Sequence, residues 1–259
     1  MAKIPSNRVR RQNKILGKLE LNSAIRVNEL ALTLGVSAET VRRDLAELEE
    51  SGQIRRTYGG AVRTNEFEPA LAERLKLYTE ERKRIAHHAV SQIASETTMI
   101  VGGGATTLHF ARCLRNVKRK ITVLTVAFDI AIELAKNPLI EVMSLPGIVE
   151  PKEGLVCGPE TVSCISQYKV PVAIMGASGI DETGVSEALL PAAQVYSAMI
   201  EHSDHTIVLA DSSKFGTRAL RNILCWGPDT SVITETLPPS PLRKSIESKG
   251  ASILVAKDN

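Results

Sequence analysis

Between residues 27 and 48 the apolar side chains fall into two short helical stripes separated by a glycine turn, and few folds accept that pattern. Val27, Leu30, Ala31 and Leu34 follow i, i+3, i+4, i+7 spacing, which is one apolar face of a helix. Gly35 stops that helix, and Ser37 is a good N-cap for the next, with Glu39 in its first turn beside the positive end of the dipole. Val41, Leu45 and Leu48 supply the second buried face, which Ser51-Gly52 closes. Two short helices joined by a three-residue turn containing glycine make a helix-turn-helix. Upstream, residues 8–21 place Val9, Ile15, Leu16 and Leu19 on a third stripe. Downstream, Gln53–Arg56 and Ala61–Arg63 flank Thr57-Tyr58-Gly59-Gly60, two short strands around a glycine tip that read as a β-hairpin. The hairpin carries Arg55, Arg56 and Arg63, as a wing lying along a phosphate backbone should.

The charge distribution agrees. Residues 1–63 hold 12 Lys/Arg and 7 Asp/Glu, a balance of +5, whereas the remaining 196 residues hold 20 and 22, a balance of −2. A small basic module joined to a near-neutral larger one points to a polyanion contact at the N-terminal end. The longest apolar runs, Ile121–Ala127 and Thr206–Ala210, fall well short of the ~20 residues a bilayer crossing needs, and the basic start is followed by no apolar stretch of a signal peptide. No membrane partner is expected. Cys113, Cys157, Cys164 and Cys225 form no CxxC pair and read as reduced thiols of a cytoplasmic protein.

Beyond residue 80 the period changes. A helix over Glu81–Ser95 is followed by short apolar, β-rich runs at Thr97–Val101, Ile121–Thr125, Ile140–Ser144, Val172–Met175, Thr206–Ala210, Ser231–Thr234 and Ser252–Ala256. Helical stretches at Thr106–Arg115, Ala127–Lys136, Ala188–Glu201 and Leu242–Lys249 alternate with them. That order predicts an α/β domain with a mostly parallel sheet covered on both faces. The expected organisation is a winged helix-turn-helix at 1–63, a linker at 64–80, and this α/β domain at 81–259, to which the family resemblance given below assigns effector sensing and oligomerisation.

A recognition helix presents its N-terminal residues to base edges in the major groove. The outward positions are Ser37, Ala38, Glu39, Thr40, Arg42 and Arg43. Arg42 and Arg43 are the candidates for guanine or phosphate, each good fork-shaped pair giving roughly 1–3 kcal/mol of discrimination. The competing reading pairs one of them with Glu39 or Glu47 on its own helix. The full DNA-contact set is Ser37, Glu39, Thr40, Arg42, Arg43, Arg55, Arg56, Tyr58 and Arg63, and the partner is a double-stranded DNA operator. One winged helix touches few phosphates, so a homo-oligomer, dimer or tetramer, is expected on paired half-sites.

The run VNELALTLGVSAETVRRDLAELEESGQIRRTYGGA (27–61), densest at SAETVRRDL, resembles the N-terminal domain of DeoR-family bacterial regulators. The resemblance continues in GGGATT (102–107), GASGID (176–181) and ADSSKFG (210–216). It implies a sensor domain resembling ribose-5-phosphate isomerases, a phosphorylated-sugar effector, and a repressor of a carbohydrate catabolic operon released from DNA by that ligand.

Ligands of open parallel sheets bind at the carboxyl ends of strands, where helix N-termini point N–H groups outward. Gly103, Gly104, Ala105, Thr106, Thr107, Asp211 and Lys214 are expected on that basis, and the resemblance adds Glu150 and Gly176 to the effector set. Against the family pattern, Gly102 stands for an acidic residue, Val126-Ala127 for Asn-Ser after the second strand, Glu150 for an arginine, and Tyr196 for a basic residue of the late helix. These changes remove donors and positive charge, so the effector expected is a small sugar, sugar phosphate or polyol-like molecule rather than the usual sugar phosphate alone.

Two other functions compete. A sugar-phosphate isomerase or deaminase with an N-terminal DNA-binding module would need a base such as Asp181, Glu187 or Asp211. A DNA binder with a non-functional sensor would lack any ligand that changes DNA affinity. No catalytic residue, cofactor or metal is expected: His87-His88 and His202/His205 have no third ligand at a defined spacing and read as exposed histidines.

Overall fold

The computed structural model describes residues 7–21, 24–50, 54–57, 59–63, 69–94 and 97–257. The chain divides into two compact units, Met1–Phe67 and Glu68–Asn259. The first contains α1 (Asn7–Leu21), β1 (Ala24–Arg26), α2 (Val27–Leu34), α3 (Ala38–Glu50), β2 (Ile54–Thr57) and β3 (Gly60–Arg63). The three helical stripes meet: Ile15 and Leu19 of α1, Leu30 of α2, and Val41, Leu45 and Leu48 of α3 are buried together with Ile25, Ile54 and Ala61. Full burial of each large aliphatic chain is worth about 1.5–3 kcal/mol. The wing is a three-stranded antiparallel sheet in the order β1-β3-β2, with Ile25 and Arg56 both opposite Ala61. β1 is three residues long and shows no pattern in the sequence. α2 ends at Gly35 (φ +66°), and Ser37 caps α3 by accepting from the Thr40 N–H at 3.2 Å. Tyr58 lies outside the described residues, and Arg55 and Arg63 are fixed only as positions on β2 and β3.

The second unit runs α4 (Leu71–Arg74), α5 (Thr79–Gln92), β4 (Thr98–Val101), α6 (Ala105–Leu114), β5 (Ile121–Thr125), α7 (Phe128–Leu134), β6 (Ile140–Ser144), β7 (Ile148–Glu150), β8 (Leu155–Cys157), α8 (Pro159–Ile165) and β9 (Val170–Met175). It continues with β10 (Gly179–Ile180), β11 (Gly184–Glu187), α9 (Leu190–Glu201), β12 (Ser203–Leu209), β13 (Arg221–Cys225), β14 (Thr230–Thr234), α10 (Ser240–Ser248) and β15 (Ser252–Val255). Seven strands form one all-parallel sheet in the order β15-β14-β12-β9-β4-β5-β6. Every residue of β14, and the inner part of β4, β9 and β12, is buried, so both faces of the central strands are covered. The seven strands read from sequence all lie in this sheet, with ends shifted by at most three residues.

Residues 64–80 are read from sequence as a linker. Positions 64–68 lie outside the described residues, whereas 69–80 belong to the second unit, where Leu71 and Arg74 of α4 are buried. Two small antiparallel sheets, β7-β8 and β10-β11-β13, add to the parallel core. β7, β8 and β10 are two or three residues long, too short to show a period of two.

Candidate nucleic-acid interface and effector cavity

Three acidic residues of α3, Asp44, Glu47 and Glu49, are bonded within their own domain. Asp44 is buried against Arg11 of α1, whose Nε and Nη2 donate to Oδ2 and Oδ1, the latter at 2.9 Å. That contact holds the Arg11 guanidinium above its ordinary pKa, through the Asp44 hydrogen bond first. Glu47 accepts from Arg8 Nη1 at 3.1 Å and Gln12 Nε2 at 2.8 Å, and Glu49 accepts from the Arg56 N–H at 2.8 Å. Three carboxylates that would repel phosphate are thereby neutralised by α1 and the wing. What remains on the exposed face is Ser37, Glu39, Arg42 and Arg43, with Thr40 half-buried beside them. Arg42 Nη1 lies 3.4 Å from Glu39 Oε2 with both chains in solvent. Such an exposed i, i+3 pair is worth well under 1 kcal/mol, so a phosphate or guanine can displace it. Arg43 is exposed with no ion-pair partner among the described residues. Arg56 keeps its guanidinium 4.0 Å from Glu49, partly exposed.

In the second unit, the carboxyl ends of β4, β9 and β12 meet at a small cavity. Its wall contains Gly103, Gly104, Ala105 and Thr106 at the start of α6, Gly176 and Ser178 after β9, and Lys214 after β12. Six of the nine effector residues expected from sequence are therefore brought together. The other three are not. Thr107 is fully buried and spends its hydroxyl on the Gly104 carbonyl at 3.0 Å. Asp211 is fully buried and ion-paired with Arg82, Nε to Oδ2 at 2.9 Å. Glu150 ends β7, where its carboxylate accepts from the Lys152 N–H at 3.2 Å, and it does not line the cavity.

Arg74, Arg82, Glu153, Glu187 and Tyr196 also line it and are not among the nine residues expected from sequence. Arg74 sits in the stretch read as a linker, and Arg82 faces inward from α5, which shows only as one charge among several in EERKR. Arg74 of α4 and Arg82 of α5 bring two guanidinium groups to the cavity wall. Two further departures explain each other. A Cβ at position 102 would lie 2.8 Å from Tyr196 Cε1, so the bare Gly102 makes room for the ring. The Tyr196 hydroxyl donates to the Gly103 carbonyl at 3.2 Å, and burial pushes its pKa well up, keeping it a neutral donor. Gly104 (φ +130°) turns the chain into α6 in a conformation that a side chain would strain. The cavity measures about 30 Å3, room for about two waters.

Of the groups an enzyme would need, Asp181 accepts from Thr183 N and Oγ1 at 2.7 and 2.5 Å and from Gly184 N at 3.2 Å, holding a turn. Glu187 accepts from Ser178 Oγ at 3.2 Å and the Leu189 N–H at 3.0 Å. Among the described residues, no three His, Cys, Asp or Glu side chains cluster as metal ligands, and His205 bonds Ser231 Oγ at 2.7 Å. No described helix is long and apolar enough to cross a membrane.

Comparison with known proteins places both units. A family described as DeoR-like helix-turn-helix domain matches residues 11–67, and one described as DeoR C terminal sensor domain matches residues 78–236. The HTH-type transcriptional regulator YulB of Bacillus subtilis is 34% identical over 94% of this chain and 95% of its own length. The glycerol-3-phosphate regulon repressor of Escherichia coli is 30% identical over 88% of this chain and 91% of its own. Ribose 5-phosphate isomerase A from Methanocaldococcus jannaschii aligns with 53% of this chain and 55% of its own at 17% identity and a TM-score of 0.41, too loose a likeness to bear on chemistry. With both of its domains matched in order and relatives aligned over nearly their whole length, the chain belongs to the DeoR family of helix-turn-helix transcriptional regulators.

Proposed function

We propose that this protein is a cytoplasmic repressor of a carbohydrate catabolic operon, bound to a duplex operator through α3 and the wing and controlled by a small effector in the C-terminal cavity. The observation that carries the DNA contact is the division of charge on α3. Asp44, Glu47 and Glu49 are occupied within the domain, which leaves Ser37, Glu39, Thr40, Arg42 and Arg43 to face the groove. Arg55, Arg56, Tyr58 and Arg63 of the wing supply phosphate contacts in this reading. The effector is a small sugar, sugar phosphate or polyol-like molecule held by the α6 N-terminus, Gly176 and Lys214, with Arg74 and Arg82 as added cations. A homo-oligomer, dimer or tetramer, presents two recognition helices, because one winged helix neutralises too few phosphates for tight binding at physiological salt. The protein is not an enzyme in this reading: two of the three candidate bases, Asp181 and Asp211, are committed to a turn and to a buried ion pair.

The test is a gel shift on the intergenic DNA upstream of the protein's own gene, repeated across sugars, sugar phosphates and polyols, with sedimentation to give the oligomer. A retarded band that one ligand class abolishes supports the reading. Binding that no ligand changes would favour a sensor that no longer senses, and substrate turnover by the purified protein would favour the enzyme.

A further inference from the structure

α4 is four residues long with no side-chain cap, so its own helical stability cannot fix its position. Cavity residues hold it instead, in two places. The Arg74 side chain, buried in the cavity wall, donates from Nη2 to Glu153 Oε2 in the turn between β7 and β8. The Arg74 carbonyl accepts from Arg82 Nη1, and Arg82 is anchored in turn on Asp211 at 2.9 Å. α4 begins four residues after the last residue of the DNA-binding unit, Phe67. A buried residue near the start of the sensor, Arg74, is therefore also part of the wall of its cavity.

We infer that Arg74 is the positioning residue through which an anion in the cavity acts on the DNA-binding module. The inference rests on the cavity being the effector site. Its enclosed space of about 30 Å3 is smaller than a sugar, so a ligand seated wholly inside it needs a wall to move. The β7–β8 turn is a wall held by the Arg74–Glu153 ion pair, and Glu153 is the carboxylate of that pair that faces the cavity. A phosphate or carboxylate on the ligand offers the Arg74 fork two oxygens and repels the Glu153 carboxylate beside it. Arg74 changes partner, the turn leaves the cavity mouth, and α4 shifts with the chain it follows. The charge that a ligand must bring is negative, and Glu153 is its competitor.

The test uses the full chain in four forms: wild type, Arg74→Glu, Glu153→Arg and the charge-swapped double variant. Circular dichroism confirms that each folds, and the milder Glu153→Gln replaces Glu153→Arg if that one does not. Operator affinity is read by fluorescence anisotropy on the upstream duplex, and amide exchange is read over residues 69–76 and 148–157. Each single variant should mimic the bound state, weakening operator binding about tenfold and speeding exchange in both segments. The double variant should return both readouts to within about twofold of wild type. Inorganic phosphate, against chloride at matched ionic strength, should speed exchange over 148–157 in the wild type and leave Arg74→Glu unchanged. Single variants that exchange like wild type, a double variant no better than the singles, or no response to phosphate would each overturn the inference. A wild type that fails to bind the duplex while the exchange pattern holds would instead overturn the DNA-binding reading and leave the Arg74 exchange of partners standing.

Discussion

Removing the Asp211 carboxylate should destabilise the C-terminal unit far more than a surface change, because it strands a buried cation. The Arg82 and Asp211 side chains are 3% and 0% exposed, and they meet at 2.9 Å. Asp211 also accepts from the Ser213 N–H at 3.2 Å. Taking one partner from a buried pair costs about 3–5 kcal/mol, and the lost bond to Ser213 adds about 1. Asp211→Ala is therefore expected to lose about 4–6 kcal/mol. Replacing both partners, Arg82→Met with Asp211→Leu, removes the charges together, and such exchanges are often near neutral; the double variant should lose no more than about 2 kcal/mol. Urea unfolding followed by tryptophan fluorescence isolates the right unit. Trp226 is the only tryptophan of the chain, is buried in the second unit, and donates to the Asp181 carbonyl at 2.9 Å. A loss below about 1 kcal/mol for Asp211→Ala, or a double variant as unstable as the sum of the singles, would refute the argument.

Arg42→Ala and Arg43→Ala should each weaken operator binding by about tenfold, within the range of one good base or phosphate contact, and leave oligomer size unchanged by sedimentation. His109 on α6 is buried, with no hydrogen-bond partner at Nε2 among the described residues, and burial, with Arg112 and Arg82 nearby, lowers its pKa from 6.5 to about 4. Its folded pKa lies below its unfolded one, so the unfolded chain takes the proton first. Stability should hold above pH 6.5 and fall by about 3 kcal/mol as pH drops to about 4, and His109→Leu should flatten that part of the urea-midpoint profile. Cys157 is buried and its thiol is pushed up to about 11 by burial, then by Glu150 and Glu187, whereas Cys225 is exposed. Alkylation followed by mass spectrometry should label Cys225 first and leave Cys157 unlabelled in the native protein.

The sequence carried the large periodic features and lost the small ones. Helical stripes on α1, α2 and α3 and apolar runs for seven parallel strands are long enough for composition and period to agree, and the sheet follows from their alternation with helices. β1, β7 and β10 are two or three residues long, and no period can be read from so few. The cavity divides the same way. Gly103 to Thr106 lie in a glycine-rich strand-to-helix turn, whose chemistry is local. Arg74, Arg82 and Glu153 reach the cavity only through tertiary packing, from segments that read as linker, solvated helix and loop. Asp211 shows the reverse case: it sits where a ligand contact was expected, and a buried arginine from 129 positions earlier claims it. The pairing of Gly102 with Tyr196 was visible as two separate departures and became one fact only when the ring was seen in the space of the missing Cβ.

The central claim, that α3 reads duplex DNA, is tested most directly by anisotropy titrations of the full chain on its upstream intergenic duplex and on a scrambled duplex of equal length. They are repeated with the Arg42→Ala, Arg43→Ala double variant. The account predicts wild-type binding at least about a thousandfold tighter to the upstream duplex, and a double variant that stays folded but holds both duplexes alike. Equal wild-type affinity for the two duplexes, or a double variant that still prefers the upstream one, would contradict it.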